Sequence, residues 1–379
     1  MMRVALVVAG PYPALRGSQV LVGHLAHGLG ERGHAVRLVT YGDRLAERPG
    51  LHAARVAFDA LLTLRLWRVV RREGIDVIHA HNYEAAIAGL IVARATGRPL
   101  VYHGHCALAE ELPTYVERRS LHRLVARFGR FLDDNLPRRA DFCIAVTDEL
   151  GCVLRRSGVT EAALACIPPA SAPHELPPGP MTVGPTEAAG LVCYAGNLDG
   201  YQNLGFLLES FRRVRAAEPA ARLVLVTHEG GRVEARRLAA SGLDAGVEVV
   251  GVRSYDEVRR LLDAADVAVS PRTERCGFPM KLLNYMAAGK AIVAASGSAK
   301  GLCDGVTGRI VPDGDTKAFA GAIVDLLRDG DARRRLGTAA RAAVEDPAAW
   351  EQVLDRIEGI YRRVLGRNRP RLVPVAIAE

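Results

Sequence analysis

Short apolar segments alternate with longer amphipathic segments along this chain of 379 residues, and this alternation constrains the fold most strongly. The apolar segments have the length of buried strands, and the segments between them have the 3.6-residue period of helices. Strands and helices that alternate in this way form a parallel sheet with helices on both faces. The sequence therefore predicts an α/β protein of doubly wound, Rossmann-like architecture.

A change of composition divides this pattern into two halves. Between Ile167 and Ala189 the chain is rich in proline and lacks periodicity, which is typical of a linker. A chain of this length also suggests about two domains. We predict an N-terminal domain (1–170), a linker (171–189), a C-terminal domain (190–345), and a C-terminal helix and tail (346–379) that pack back on the N-terminal domain.

The predicted elements succeed one another at the spacing of βα units. In the first half the predicted strands are Arg3–Val8, Ala35–Tyr41, Asp76–His79, Pro99–Tyr102 and Asp141–Val146, and the predicted helices are Ser18–Arg32, Asp59–Glu73, Tyr83–Thr96 and Glu117–Leu136. In the second half the predicted strands are Leu191–Ala195, Arg222–Thr227, Val247–Val250, Val267–Ser270, Ala291–Ala295 and Arg309–Val311, and the predicted helices include Leu204–Ala217, Val233–Ser241 and Pro347–Arg367. Two such domains bind ligand at the carboxyl ends of their strands, in the cleft between them.

Composition narrows the class of protein. No apolar run approaches the ~20 residues that cross a bilayer, and we interpret the apolar N-terminus as a first buried strand. Seven scattered cysteines without a C-x-x-C pair favour a reducing cytoplasm. The net charge of +8 favours an acidic partner, either an anionic membrane surface or a nucleotide. Nucleic acid is not expected, because no recognition motif accompanies the basic residues.

The segment from Gly277 to Gly301 predicts a phosphate site. It begins as a glycine-proline loop, and Pro279 suits the first turn of the helix that follows. Gly289 can take the left-handed conformation that ends this helix. Lys281 falls in the first turn, where a cation is unfavourable unless an anion joins it. A bound phosphate is the simplest explanation.

A series of segments in order resembles the GT-B retaining glycosyltransferases that use nucleotide sugars, family 4 in particular. The segments that carry the resemblance are RGSQVLVGHLAHGLGERGHAVRLVT, DVIHAHNYEAAIAGL, the strand that ends at His105, LVCYAGNLDGYQNLGFLLESF, GVEVVGVRSYDEVRRLLDAADVAVSP and GFPMKLLNYMAAGKAIV. The resemblance implies two Rossmann-like domains, with the acceptor on the N-terminal side and a nucleoside-diphosphate sugar on the C-terminal side. It also implies transfer to a hydroxyl acceptor, in cell-surface polysaccharide or glycolipid synthesis.

The same resemblance assigns site residues. His105 matches a histidine near the transferred sugar, where it can hydrogen-bond a sugar hydroxyl or the leaving phosphate; His103, two residues earlier, is the alternative. His105 and Lys281 are the predicted catalytic residues. Gly17 lets the backbone approach the diphosphate closely. The predicted donor-binding residues are Gly17, Gly196, Asn197, Gln202, Arg253, Gly277, Pro279 and Asn284.

Several positions depart from the family pattern. An arginine and a lysine that bind the donor diphosphate are replaced here by Asn197 and Gln202, and a pair of glutamates by Cys276 and Asn284. In one explanation, Lys281, the helix N-terminus and backbone amides neutralise the diphosphate instead. In another, the donor site has decayed and the protein is a binding or scaffold homologue. A sugar-nucleotide 2-epimerase is a third possibility.

The sequence predicts neither a cofactor nor a metal site. No cluster of His, Asp and Glu with ligand spacing stands out, so we expect an enzyme that needs no metal ion, of the hexosyltransferase type that the resemblance implies.

The predicted helix Glu117–Leu136 bears on the acceptor, because its apolar residues lie among five arginines. It can lie on an anionic membrane, or it can pack on the core with its arginines in solvent. The acceptor can accordingly be a sugar, a lipid-linked molecule or a small molecule. We expect a cytoplasmic protein, with peripheral contact at the inner face of the membrane as one possibility.

Overall fold

The structure, a computed structural model, describes residues 1–13, 16–42, 53–116, 118–171, 190–228 and 246–367. It contains two parallel sheets of six strands, in the orders β2-β1-β3-β4-β5-β6 and β12-β11-β10-β7-β8-β9. The α/β, doubly wound architecture predicted for the two halves is therefore confirmed. The strands are β1 (Arg3–Val8), β2 (Ala35–Val39), β3 (Val77–His81), β4 (Leu100–Gly104), β5 (Phe142–Ala145), β6 (Leu164–Cys166), β7 (Leu191–Ala195), β8 (Arg222–His228), β9 (Val247–Val252), β10 (Val267–Ser270), β11 (Ala291–Ala295) and β12 (Arg309–Val311).

The helices agree with the predicted ones in most places. Leu204–Ala217 and Pro347–Arg367 are as predicted, because a clear apolar stripe sets their bounds. The described α-helices are Gly17–Glu31, Ala53–Glu73, Asn82–Thr96, Leu108–Glu111, His122–Asn135, Asp148–Arg156, Leu204–Ala217, Tyr255–Ala264, Lys281–Ala287, Thr316–Arg328, Gly330–Ala342 and Pro347–Arg367.

The prediction of one long helix over Glu117–Leu136 is wrong in its first turn. A 3₁₀ turn covers Arg119–Leu121, and the α-helix begins only at His122. The sequence analysis also missed the helix Asp148–Arg156 and the short strand β6. The predicted helix Val233–Ser241, the linker from residue 172 to 189 and the tail after residue 367 lie outside the described residues.

The helix Pro347–Arg367 shares a core with the first sheet. Its buried residues Trp350, Leu354 and Tyr361 pack in one cluster with Val4 and Leu6 of β1. Burial of large side chains at this interface joins the end of the chain to the strands at its beginning, through the hydrophobic effect.

Both sheets have a point at which the strand order reverses direction. In the first sheet β1 lies between β2 and β3, and in the second β7 lies between β8 and β10. Loops on the two sides of such a point diverge and leave a crevice at the carboxyl ends of the strands. The residues that follow β1, β3, β7 and β10 are therefore the ones that the fold places at a ligand site.

Candidate functional site

A cavity of about 590 Å³ lies between the two halves of the molecule, a size typical of small-molecule sites. Gly10 and Gly17 line it after β1, and His81 lines it at the end of β3. Gly196 lines it after β7, and Arg272 after β10. Both reversal points of the strand order thus open onto the same space.

Lys281 is the centre of a buried polar network on the C-terminal side of the cavity. Its Nζ donates to Gln202 Oε1 at 2.6 Å and to Tyr194 Oη at 2.9 Å, and it lies 4.0 Å from the centroid of the Tyr194 ring. Burial, with the nearby Arg272 charge, lowers the pKa of Lys281 well below its usual value. An anion bound in the cavity would raise the pKa of Lys281 again, because it favours the protonated amine.

Asn197 and Gln202 hold this network together. Gln202 Nε2 donates to Asn197 Oδ1 at 2.9 Å, and Asn197 Nδ2 donates to Tyr201 Oη at 2.7 Å. Each amide therefore uses a donor within the network, and the acceptor of Gln202 faces Lys281. The two residues that replace the expected arginine and lysine orient a lysine that comes from another helix.

Arg272 is a second cation of this wall, and the sequence analysis missed it. Its side chain is buried, its guanidinium carbon lies 5.0 Å from the Tyr201 ring centroid, and its Nε is 3.6 Å from Glu274 Oε2. A Cβ on Gly277 would lie 2.2 Å from Arg272 Nη2, so a larger residue at this position would displace the guanidinium. The sequence feature that could have indicated Arg272 is its position two residues after the end of the buried strand β10.

The remaining predicted donor-binding residues are placed in different ways. Gly17, Gly196, Pro279 and Asn284 line the cavity. Gly277 does not line it and supports Arg272 instead. Arg253 has an exposed side chain that does not line the cavity, and its backbone N–H donates to Glu257, so its role in donor binding stays a prediction.

The loop–helix segment follows its prediction in part. Gly289 takes a left-handed conformation with φ of 57° just beyond the C-cap residue Ala288, as predicted. The helix begins at Lys281, so Pro279 precedes it and does not occupy its first turn. The backbone N–H of Leu282 bonds the Pro279 carbonyl oxygen, which makes this region a turn that leads into the helix.

Cys276, at one of the expected glutamate positions, is part of the contact between the two halves. Its thiol donates to Glu110 Oε1 at 3.3 Å, and its carbonyl oxygen accepts from Thr147 Oγ1 at 2.9 Å. Burial raises the pKa of this thiol to about 12, so it stays protonated and does not replace a carboxylate.

Four histidines cluster on the opposite side of the cavity, and one of them is the predicted catalytic residue His105. His105 and His81 line the cavity, and His105 Nε2 lies 3.0 Å from His81 Nδ1. Behind them, His79 Nε2 lies 3.1 Å from His103 Nδ1. Burial lowers the pKa of His79 to about 3 and that of His105 to about 4, so both imidazoles are neutral.

The helix His122–Asn135 turns an apolar strip to the outside. Leu124, Phe128 and Phe131 are 66%, 50% and 60% exposed, whereas Asp133 is buried and accepts from the backbone N–H groups of Leu108 and Ala109. A Cβ on Gly129 would lie 2.6 Å from the Leu108 carbonyl, so the helix packs closely on that side. The alternative in which its apolar residues face the core is wrong for this strip.

Comparisons with known proteins agree with this architecture. The family model for Glycosyltransferase Family 4 matches residues 15–171, and the model for Glycosyl transferases group 1 matches residues 189–329. The two matches follow one another along most of the chain, one for each sheet. The chain belongs to the GT-B glycosyltransferases of family 4, as the resemblance implied.

The similarity to individual relatives and solved structures covers nearly the whole chain. A phosphatidyl-myo-inositol mannosyltransferase of Mycobacterium leprae is 26% identical over 96% of this chain and 97% of its own length. A sucrose-phosphate synthase from Thermosynechococcus elongatus has a TM-score of 0.77 at 19% identity and covers 97% of this chain and 100% of its own. HepE of Anabaena, in complex with UDP-glucose, has a TM-score of 0.72 at 17% identity and covers 95% and 100%.

Among the described residues, no helix combines the length and the apolar character needed to cross a membrane.

Proposed function

We propose that this glycosyltransferase moves a hexose from a nucleoside-diphosphate sugar to a hydroxyl group of a glycolipid or polysaccharide acceptor, with retention of configuration. The bond between the anomeric carbon and the diphosphate oxygen breaks, and a bond from that carbon to the acceptor oxygen forms. The acceptor proton passes to the phosphate oxygen that leaves. HepE, whose structure contains UDP-glucose, and the inositol-lipid mannosyltransferase support this class of donor and acceptor.

The observation that best supports a donor diphosphate site is that Lys281 and Arg272 line the same side of the cavity. The two cations lie at one wall of a 590 Å³ cavity, and the pKa shift of Lys281 has the Arg272 charge among its causes. An anion between Lys281 and Arg272 would favour the protonated form of Lys281 and stabilise both charges, and the charge of a leaving diphosphate increases in the transition state. Lys281 and Arg272 would therefore contribute more to the transition state than to the ground state.

The remaining site residues position the substrates in this scheme. Gly17 and Gly196 leave space for the diphosphate, and Asn284 would hydrogen-bond a hydroxyl of the donor. His105, on the opposite wall, would hydrogen-bond the transferred sugar as a neutral imidazole.

Calorimetric titration of the purified protein with UDP, GDP, ADP and dTDP, without and with Mg²⁺, tests the donor site. We expect one nucleotide to bind without the metal ion. Absence of binding by all four would contradict the proposal. Incubation with the matching nucleotide sugar then separates transfer from epimerisation, because an epimerase alters the sugar without any acceptor.

We further propose that the strip Leu124, Phe128 and Phe131 rests on an anionic membrane surface. The arginines of the same region supply charge complementarity to anionic lipid, and the exposed aromatic side chains supply apolar area for insertion at the interface. The basic residues concerned are Arg118, Arg119, Arg123, Arg127 and Arg130.

Co-sedimentation with vesicles tests this contact. We expect binding to phosphatidylglycerol vesicles and weak binding to phosphatidylcholine vesicles. The double variant F128Q/F131Q should lose most of the binding, whereas I91Q, which changes an exposed isoleucine on the helix Asn82–Thr96, should not. Equal binding by wild type and double variant would contradict the proposal.

A further inference from the structure

Two H-x-H pairs meet at the carboxyl ends of β3 and β4. His79 and His81 lie on β3, and His103 and His105 lie at the end of β4 and just beyond it. The parallel register pairs His81 with His103. Because side chains alternate along a strand, residues two apart share a face, so the four imidazoles gather on one side of the sheet.

Hydrogen bonds account for only part of the nitrogens in this group. Tyr361 Oη lies 2.6 Å from His79 Nδ1, and His79 Nε2 faces His103 Nδ1. His81 Nε2 and His103 Nε2 have no hydrogen-bond partner, although the two side chains are 0% and 2% exposed. Buried polar atoms of this kind call for a partner such as an ion or a water molecule.

We propose that His79, His81 and His103 bind one divalent transition-metal ion, with zinc as the best match. Each offers one ligand nitrogen, and these atoms lie within 4.8 Å of one another. Imidazole binds zinc at ~2.0–2.1 Å, so the rings of His81 and His103 would turn toward that of His79 to share one ion.

The chemistry of the donors selects the ion. Within the described residues, the ligand group consists of three imidazoles without a carboxylate. Such a set suits zinc, copper, nickel or iron and not Mg²⁺ or Ca²⁺, which take oxygen ligands. This site is thus distinct from a Mg²⁺ bound to the donor phosphates, and it corrects the sequence-based expectation that no ligand cluster exists. That expectation was wrong because His81 and His103 become neighbours only through strand pairing.

Neighbouring side chains contact the second ring nitrogens of two of these imidazoles, as is usual for histidines that bind a metal ion. Tyr361, from the helix Pro347–Arg367, holds the second nitrogen of His79 and so fixes its ring orientation. His81 in turn contacts His105 through Nδ1. A bound ion would link β3, β4 and the C-terminal helix, and it would keep His105 directed at the cavity.

Metal analysis of the full chain, expressed without a polyhistidine tag, tests the proposal. After chelator treatment, loading with Zn²⁺ and removal of excess ion, we expect about one zinc per chain, as for a preformed three-histidine site. H103V and H79N should each retain about a tenth or less of that zinc, because two imidazoles hold the ion weakly. H27N, which changes an exposed histidine on another helix, should retain all of it.

Two results would overturn the proposal. One is a wild-type protein with less than about a tenth of a zinc per chain after loading. The other is full zinc retention by a folded H103V variant. Should the variants not fold, Co²⁺ titration of the wild type decides, because binding in this site gives the intense visible absorption of a low-symmetry complex and failure gives none. Donor titration is a separate measurement, so the two proposals can fail independently.

Discussion

The two walls of the cavity have the same architecture but differ in the charge of their side chains. Each wall lies at the carboxyl ends of a parallel sheet where the strand order reverses. The wall after β7 and β10 presents two buried basic side chains: Lys281 donates to the Gln202 amide oxygen, and Arg272 packs on the Tyr201 ring. The wall after β3 and β4 presents neutral imidazoles. Topology therefore places a site, and the residues at the strand ends decide what it binds.

The buried polar groups of the two walls are also stabilised in different ways. Arg272 lies near Glu274, whereas Lys281 donates to the uncharged oxygens of Gln202 and Tyr194, so an anionic ligand should change the energetics of Lys281 strongly. The imidazoles lost their charge through burial and need only a neutral or metal partner. Substitutions in the first wall should therefore act on nucleotide binding, and substitutions of His79 and Tyr361, behind the second wall, should act on stability.

The largest effect should come from Lys281→Met. It removes the cation and keeps an apolar chain of similar length, and charge-assisted hydrogen bonds contribute about 1.5–3 kcal/mol, so nucleotide affinity should fall about 10- to 100-fold. Calorimetry with the nucleotide that the wild type binds measures it. K317M, which changes an exposed lysine, is the control. Unchanged affinity for K281M would remove Lys281 from the donor site.

Arg272→Met should weaken nucleotide binding by about tenfold, since the Tyr201 ring and the Lys281 network remain in place. Gly277→Ala should act in the same direction by a smaller factor, because its Cβ would displace the guanidinium. The controls are R275M, at an arginine that is 68% exposed, and G321A, at a glycine with nothing within 4 Å of an added Cβ. A normal affinity for R272M would leave Lys281 as the main cation of this wall.

Nucleotide binding should take up a proton. Burial lowers the pKa of Lys281 in the free protein, and a bound diphosphate raises it again, so affinity should fall as pH rises between the two values. Calorimetry in buffers of different ionisation heat measures this uptake directly. In K281M the buffer dependence should disappear; its persistence would assign the proton to another group.

The smallest effect should come from Tyr361→Phe, which tests the independence of the walls. Loss of the bond to His79 should lower the free energy of unfolding by about 1 kcal/mol. Denaturant unfolding measures this change, and nucleotide affinity should stay at the wild-type value. A marked loss of affinity would show that the C-terminal helix couples the two walls.

The element order was predictable because it depends on local patterns. Leu191–Ala195, Val267–Ser270 and Ala291–Ala295 have the predicted bounds, since each is a short apolar run between polar segments. The left-handed Gly289 followed from the same local reasoning. The helix start at Lys281 and the break before His122 did not, because tertiary contacts set helix ends as much as propensity does.

The candidate site was predictable only as a set of separate positions. Lys281 stood out as a lone cation after a glycine-proline loop, and His105 by its resemblance to the family motif. Arg253 was assigned from the same kind of resemblance, and its side chain lies outside the cavity. Resemblance locates a loop, but the direction of a side chain depends on the turn that carries it.

By itself the sequence determined an α/β chain in two halves, a lysine directly after a glycine-proline loop, and a glycine at the end of the helix that follows. Only the tertiary structure decided that Gln202 meets Lys281 across 79 positions, and that His81 lies beside His103. The physical reason is that hydrophobic periodicity is a local property of the chain, whereas contacts between strand ends depend on strand order and register.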